Sequence, residues 1–220
     1  MRMEIIAHIE SDFGEKFGIP RQSGLVKSRA RIVFAPPYRD EAAFRGIEGY
    51  SHLWLIWVFS ENRRGYAPTV RPPRLGGNVR MGVFATRSPY RPNPIGLSCV
   101  RLIALEKGER GPTLLVEGAD LMDGTPILDV KPYLPYADAV PDALPGFTGG
   151  LTDAPLTLDF PPALEARIPQ DKREALREAL LLDPRPRFQR DARVYGMAYA
   201  GKNVRFAIEG NVLRVIAVEG

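Results

Sequence analysis

The chain has 220 residues, 45% of them hydrophobic and 25% charged, which is ordinary for a globular protein of one large domain or two smaller ones. Its 30 Lys and Arg residues against 26 Asp and Glu residues give a net charge of +4, which favours a polyanion such as nucleic acid as a partner. The single cysteine excludes an internal disulfide, and the longest apolar run, residues 53–59, is far shorter than the ~20 residues of a membrane-spanning helix.

The first 140 residues contain mostly short strands separated by turns. One helical turn is predicted over residues 40–45, with Asp40 as its N-cap. The near-continuous apolar run over residues 51–59 predicts a strand that is buried on both faces. Alternating or apolar segments predict the other strands, over residues 3–9, 29–34, 81–85, 97–102, 101–107, 112–118 and 126–131. Many short strands with few helical windows favour a mainly β fold, an antiparallel β-barrel, in a domain over residues 1–140.

The composition changes in the second half of the chain. Residues 141–161 are rich in Pro and Gly and predict a linker. The one clear helix is predicted over residues 170–182, where Asp171 and Glu174 resemble a capping box. Three strands are predicted after it, over residues 194–200, 203–208 and 211–218. Residues 162–220 should therefore form a small α+β domain.

Arginine is concentrated in the segment 60–101, which has eight Arg, no Lys and one acidic residue, together with six Pro and five Gly. Arg recognises phosphate and carboxylate through two parallel hydrogen bonds, and Pro and Gly hold the backbone in irregular shapes. Residues 87–94 are therefore predicted to be a stiff surface loop that presents guanidinium groups to an anion. The alternative is a solvated basic loop that binds nothing.

Other features limit the chemistry. The Gly-containing stretch 74–78 neither follows a strand nor opens a helix, so the sequence disfavours a doubly wound nucleotide-binding fold. His8, His52 and Cys99 cannot make an ordinary zinc site, so no metal is predicted, and a metal held by carboxylates is the alternative that stays open. Cys99, Trp54 and Trp57 lie in predicted strands and are expected in the core. The N-terminus has too short an apolar run for a signal peptide, and we expect a cytoplasmic protein with no membrane contact.

Five blocks resemble, in sequence and in order, the TsaA-like (TrmO) family of tRNA methyltransferases: residues 16–22, 50–54, 69–78, 82–88 and 123–126. A weaker match lies at residues 183–186. The resemblance implies a homodimeric β-barrel enzyme that uses S-adenosylmethionine (SAM). It also implies methylation of tRNA at the exocyclic N6 of threonylcarbamoyl-adenosine beside the anticodon.

Carried over position by position, the resemblance also implies which residues form the site. It places SAM against Pro20, Arg21, Gln22, Ser60, Glu61, Arg87, Leu97, Asp120, Leu121, Met122 and Asp123. The candidates for a general base are Asp120, Asp123, Asp129 and His52, although positioning alone could supply most of the rate. The expected tRNA contacts are Arg64, Arg71, Arg74, Arg80, Tyr90, Arg91, Lys131, Tyr133, Arg185, Arg187, Arg190 and Arg193.

Two other functions remain open at this stage. A non-catalytic RNA-binding barrel would share the basic clusters but would have no reason to bind SAM. An enzyme acting on a small phosphorylated or carboxylated substrate could use the Arg-rich loop alone. The second group of arginines, between residues 185 and 193, disfavours that third interpretation, because one small anion does not need two clusters.

Overall fold

A computed structural model describes residues 3–149, 155–185 and 193–220. Within them the chain forms twelve strands and three α-helices, together with short 3₁₀ turns. The strands are β1 Ala7–Glu10, β2 Arg29–Phe34, β3 His52–Val58, β4 Thr69–Val70, β5 Met81–Gly82, β6 Ile95–Gly108, β7 Gly111–Glu117, β8 Pro126–Pro132, β9 Thr157–Asp159, β10 Tyr195–Tyr199, β11 Lys202–Glu209 and β12 Val212–Glu219. The helices are α1 Pro135–Asp138, α2 Pro162–Glu165 and α3 Arg173–Leu181. None of the helices in the described ranges is long and apolar enough to cross a membrane.

A closed barrel occupies the first half of the chain, as the sequence predicts. Its six strands, counted over the described residues, follow the order β1-β2-β7-β6-β3-β8, and neighbouring strands are antiparallel. Inward-facing side chains fill the barrel with aliphatic groups, among them the fully buried Leu53, Leu55, Leu114 and Ile127. The side chains of β2 alternate between the two faces of the barrel wall, because Ala30, Ile32 and Phe34 face this core, whereas Arg29 and Arg31 are exposed and Val33 is partly exposed.

Several strand predictions need correction. The strand expected over residues 51–59 is buried on its inner face only, and its outer residues Trp54 and Ile56 are half-exposed. The strands expected over residues 97–102 and 101–107 are one long strand, β6, which continues through a register shift between Leu102 and Ala104. Of the strand expected over residues 81–85 only β5 forms, because the next three residues turn into a 3₁₀ helix. The strand expected over residues 3–9 begins at Ala7.

The second half forms a four-stranded sheet, in the order β10-β11-β12-β9 within the described residues, with α3 packed against it. The three predicted strands are present, and β9, inside the predicted linker, adds a parallel fourth strand beside β12. The predicted apolar face of α3 is confirmed by the burial of Leu176, Ala179 and Leu180. The predicted capping box is wrong, because no side chain caps the start of α3. The helix is fixed instead by burial of its apolar face.

The loop between β1 and β2 connects the two halves. Phe13 and Val26, which belong to this loop, are buried in the core of the second half rather than in the barrel. Phe13 also bridges to Tyr199 in β10, and the Phe13 carbonyl accepts from the Asp123 N–H at 2.8 Å. The stretch between these anchors is therefore held against both halves, and it forms one wall of the cavity described next.

Candidate active site

A cavity of about 850 Å³ opens at one end of the barrel, where four segments of the chain meet. One is the β1–β2 loop, and a second is the end of β3 with the residues that follow it. A third is the Arg-rich loop together with the start of β6, and the last is the connection between β7 and β8. Their cavity-lining ranges are residues 19–22, 57–64, 86–97 and 120–125, to which Lys16 is added, although not every residue of each range reaches the cavity. Neighbouring strands of the barrel end here, so residues distant in sequence converge.

Among the described residues, Asp120 is the more buried of the two carboxylates that line this cavity, the other being Glu61. Its Oδ1 accepts a hydrogen bond from the Ser98 hydroxyl at 2.5 Å, and the Ser98 oxygen accepts from the Trp57 indole N–H at 3.0 Å. Ser98 is buried, with 1% of its surface exposed. Burial raises the pKa of the Asp120 carboxyl above its usual value, and the Ser98 hydrogen bond and the charge of Arg87 oppose that rise. A cation bound beside Asp120 would therefore stabilise the charged form of this carboxylate.

Arg87 faces Asp120 across the cavity and contacts the opposite wall. Its Nη1 donates to the Gln22 side-chain oxygen at 2.5 Å, and Gln22 in turn donates to the Arg21 carbonyl at 2.5 Å. Arg87 has no carboxylate partner among the hydrogen bonds and ion pairs of the described residues, so its charge remains available to an anionic group. Apolar surface lies between these polar groups, and it includes Leu97, which is 51% exposed.

The rim of the cavity is basic, but its cations differ in their partners. Lys16 donates to the Glu61 carbonyl at 3.0 Å, and Arg63 lies 3.8 Å from the Glu61 carboxylate. Arg91 donates to two backbone carbonyls of its own loop, at 3.1 and 2.7 Å, and lies over the Phe84 ring. Among the cavity-lining cations of the described chain, Arg64 is the one whose guanidinium makes no hydrogen bond or ion pair. The structure therefore identifies Arg91 as a brace of the loop and Arg64 as an available cation.

Most of the cofactor residues expected from the sequence lie together around this cavity. The group comprises Pro20, Arg21, Gln22, Ser60, Glu61, Arg87, Leu97, Asp120, Leu121 and Met122. Asp123 does not line it, because its carboxylate turns away and accepts from the Ser11 backbone N–H at 3.0 Å. Tyr90 and Arg64, expected as tRNA contacts, also line the cavity.

The other candidates for a general base lie elsewhere. Asp129 pairs with Lys131 at 2.6 Å on the outer surface of β8, so neither residue reaches the cavity. His52 begins β3, at the end of that strand away from the cavity, and its Nδ1 contacts the Ser51 hydroxyl at 2.9 Å. Tyr133 packs on Trp54 beside it, with ring centroids 5.7 Å apart. Of the four candidates named from the sequence, the structure places Asp120 alone at the cavity.

The remaining basic residues are dispersed. Arg71 and Arg80 lie on the β4–β5 hairpin region, where Arg80 donates to the Thr69 hydroxyl at 3.1 Å. Arg185 forks onto Asp183, with 12% of its side chain exposed, so its prediction as a tRNA contact is not supported by its geometry. Arg193 lies over the Tyr195 ring. The predictions for Arg187, Arg190 and the side chain of Arg74 lie outside the described residues.

Two expectations about the core are also resolved. Trp57 is buried as predicted, but it also lines the cavity. Trp54 and Cys99 face each other on the outer surface of β3 and β6, so the prediction that they are core residues is wrong. Burial nevertheless raises the pKa of the Cys99 thiol, which favours its unreactive protonated form.

Sequence reasoning missed Ser98, which links Trp57 to Asp120. A Ser at an inward position of an otherwise apolar strand is the signal that could have found it, because a buried hydroxyl needs partners.

Replacing Ser98 by alanine should reduce stability by about 1–3 kcal/mol, because it leaves the buried Trp57 N–H without an acceptor. Urea unfolding measures the loss as a lower midpoint at an unchanged slope. Ser51→Ala is the control, since the Ser51 hydroxyl is exposed and contacts only His52. Equal midpoints for the two variants would contradict the role given to Ser98.

Comparison with known proteins shows similarity over both halves of the chain. Residues 8–139 match the tRNA-methyltransferase O N-terminal domain, and residues 153–220 match the TrmO C-terminal domain. A tRNA (adenine(37)-N6)-methyltransferase of Escherichia coli K12 is 41% identical over 99% of this chain and 97% of its own length. A putative S-adenosylmethionine-dependent methyltransferase, RcsF of Pseudomonas aeruginosa PAO1, is 40% identical over 98% of this chain and 96% of its own length. The crystal structure of TrmO from P. aeruginosa superposes with a TM-score of 0.81 at 32% identity, covering 100% of this chain and 98% of that one.

Proposed function

The chain belongs to the tRNA-methyltransferase O family, and we propose that it methylates the exocyclic N6 of threonylcarbamoyl-adenosine beside the anticodon of tRNA. Family membership makes it a SAM-dependent methyltransferase of tRNA adenine. The threonylcarbamoyl group is the finer part of the proposal. The structural observation that best supports methyl transfer to tRNA is the cavity that combines Asp120 and Arg87 with a basic rim.

The residues of the cavity fit SAM by the chemistry of their groups. SAM carries an α-ammonium, a sulfonium, a carboxylate, a ribose and an adenine. The partly buried carboxylate of Asp120 suits the ammonium or the ribose hydroxyls, and because burial raises its pKa, a cation beside it would stabilise its charged form. Arg87 suits the carboxylate, and the exposed Leu97 offers apolar surface to the adenine. When bound, SAM supplies the electrophilic methyl group.

The residues of this chain would act mainly by binding and orientation. A cavity at the upper end of the usual range for ligand sites, ~300–1,000 Å³, has room for a cofactor and part of a nucleoside. Asp120 would fix one end of the cofactor. The rigid strand ends would hold the target adenine of the tRNA in line with the methyl group of SAM. A methylated N6 loses its proton readily, so the function proposed here needs no dedicated base.

The basic rim would bind the tRNA around the target base. Arg64 offers a guanidinium free for phosphate, and Tyr90 offers a ring on which an unstacked base could lie. The target nucleoside would have to leave its stack to enter the cavity. We also propose two features of the architecture. The first is the division into a barrel over residues 1–140, a linker and a domain over residues 162–220. The second is the homodimer that the resemblance implies, and light scattering on the purified protein tests whether that dimer forms.

Replacing Arg64 by alanine should weaken tRNA binding, because one phosphate contact is lost. The decrease of log affinity with log salt should become less steep, by about 1 in the magnitude of its slope. SAM affinity should not change, since other side chains hold the cofactor in this proposal. Filter binding over a series of salt concentrations measures the slope. Arg110→Ala is the control, as Arg110 pairs with Glu10 and does not line the cavity. An unchanged slope in Arg64→Ala, or an equal change in both variants, would contradict this role.

The acceptor is tested by incubating the protein with SAM and tRNA from cells that do or do not add the threonylcarbamoyl group. Digested nucleosides are then analysed by mass spectrometry. The proposal predicts a methylated threonylcarbamoyl-adenosine from the first tRNA and no methylated adenosine from the second. Equal transfer to both would keep the methyltransferase and overturn the acceptor. Binding of tRNA without SAM binding or transfer would favour the alternative, a non-catalytic RNA-binding barrel.

A further inference from the structure

The residues that follow α3 contact the loop that forms one wall of the cavity. We propose that Asp183 and Arg185 are positioning residues, through which the second half of the chain holds residues 20–22 in the shape that cofactor binding requires. This inference rests on the proposed function, because that proposal assigns SAM to this cavity. It gives the second half a part in the cofactor site in addition to any contact with tRNA.

The first link joins the cavity wall to the end of the helix. The Arg21 Nη2 donates to the backbone carbonyl of Asp183 at 2.8 Å. Asp183 has a φ of 50°, in the left-handed region that is uncommon for a residue other than glycine. The direction of its carbonyl is set by that conformation. A group that fixes the conformation of Asp183 therefore also fixes the acceptor that Arg21 uses.

Arg185 is the group that does so. Its Nε and Nη2 donate to the two carboxylate oxygens of Asp183, both at 2.9 Å, and its backbone N–H lies 3.3 Å from one of them. Only 12% of the Arg185 side chain is exposed. A planar fork of this kind fixes geometry as well as charge, and a lysine cannot reproduce it. Because this guanidinium faces Asp183, Arg185 acts on the protein itself rather than on a phosphate.

From Arg21 the contacts continue into the cavity. Gln22 donates from its side chain to the Arg21 carbonyl, and its side-chain oxygen accepts from Arg87, with both bonds at 2.5 Å. A second tie lies close by, where the Lys27 N–H donates to Glu178 of α3 at 2.6 Å. The wall that carries Arg21 and Gln22 is thus attached to the helix end on one side and to the Arg-rich loop on the other. Loosening the helix end should disorder the cofactor wall without removing any group that contacts the ligand.

Two variants test the inference while sparing the fold. Asp183→Asn keeps a residue that tolerates a positive φ and removes the charge. Arg185→Lys keeps the charge and removes the fork. The matched control is Arg177→Lys, because Arg177 forks onto Glu165 in the same half of the chain, at 2.5 and 2.6 Å, and contacts no cavity residue. Thermal unfolding of all three variants checks that each is folded at the assay temperature.

Both test variants should raise the dissociation constant and the KM for SAM by about tenfold, which is 1.4 kcal/mol. Their tRNA affinity and its salt slope should match the wild type. Amide exchange of residues 19–23 in the protein without SAM should be faster than in the wild type, because the loop opens more often. Arg177→Lys should leave all of these values unchanged.

Other results would overturn the inference. Normal SAM affinity and normal amide exchange in both test variants would show that the Asp183–Arg185 pair does not position residues 20–22 for cofactor binding. Lower tRNA affinity with normal SAM affinity would make Arg185 an RNA contact instead. Failure of the wild type itself to bind SAM would contradict the proposed function, and the exchange rates would then still decide whether the contact holds the loop.

Discussion

Replacing Asp120 by asparagine should weaken SAM binding about a hundredfold, equivalent to ~2.7 kcal/mol, while the protein stays folded. The carboxylate lies in the cavity with its Oδ1 fixed by Ser98 at 2.5 Å, and asparagine keeps the shape but not the charge. Losing a charge-assisted hydrogen bond in a partly buried site has an effect of this size. Isothermal titration calorimetry measures the affinity directly.

Stability should not fall in the same variant. Burial raises the pKa of the Asp120 carboxyl in the folded protein, so the folded state binds the proton more tightly than the unfolded state does. Stability therefore falls as the pH rises through the window from the usual Asp value to the raised one. Above that window Asp120→Asn lacks the buried charge and should be at least as stable as the wild type. Thermal unfolding at neutral pH checks this.

The same pKa predicts how SAM binding depends on pH. A cationic ligand gains from the charged form of Asp120, so affinity should be full above the raised pKa of the free protein and should fall as the pH drops below it. Asp120→Asn should lose this dependence. Asp123→Asn is the control, because the Asp123 carboxylate bonds the Ser11 N–H outside the cavity, and its affinity should stay within about twofold of the wild type. Normal binding in Asp120→Asn with loss in Asp123→Asn would contradict the account.

Replacing Gly96 by alanine should destabilise the protein by about 2–3 kcal/mol, in the upper part of the range for an overpacked core. Gly96 lies opposite Trp57 in the β3–β6 pair, and a Cβ there would overlap the indole ring. The ring cannot move aside easily, because it packs on Phe59 with centroids 4.2 Å apart and its N–H bonds Ser98.

Two measurements follow for this variant. For a chain of this size the melting temperature should fall by about 5–10 °C. SAM affinity should fall as well, because a displaced indole no longer holds Ser98 against Asp120. Gly82→Ala is the control, since no atom lies within 4 Å of a Cβ at Gly82 and its φ of −58° suits alanine. Equal melting temperatures for Gly96→Ala and the wild type would contradict the packing described here.

The barrel could be predicted from the sequence because its strands carry a strong period-2 pattern. In β2 Ala30 and Ile32 alternate with Arg29 and Arg31, so both the strand and its inner face follow from the sequence. Residues 81–85 carry no comparable alternation, and there the local turn at Val83 prevails over the strand. The sequence predicts two strands where the single strand β6 lies, because the register shift near Leu102 breaks its alternation.

The site was harder to predict, because what distinguishes its residues from others of the same type is whether their side chains point into the cavity. Asp120, Asp123 and Asp129 lie within ten positions of one another, but of the three Asp120 alone lines the cavity, while Asp123 bonds the Ser11 N–H and Asp129 pairs with Lys131. The arginines show the same limit. Composition marks Arg91 and Arg185 as possible anion ligands, but one bonds carbonyls of its own loop and the other a carboxylate two residues away. The hydrogen-bond and ion-pair partners of a side chain depend on the folded structure, and the local sequence pattern does not show them.

The most direct test of the central claim is a crystal structure of the protein with S-adenosylhomocysteine, the product that SAM leaves after transfer. We expect the ligand to lie in the cavity at the barrel end, within hydrogen-bond distance of Asp120. We expect no ligand contact with Asp123, Asp129 or His52. A ligand bound outside this cavity, or inside it without any contact to Asp120, would contradict the account.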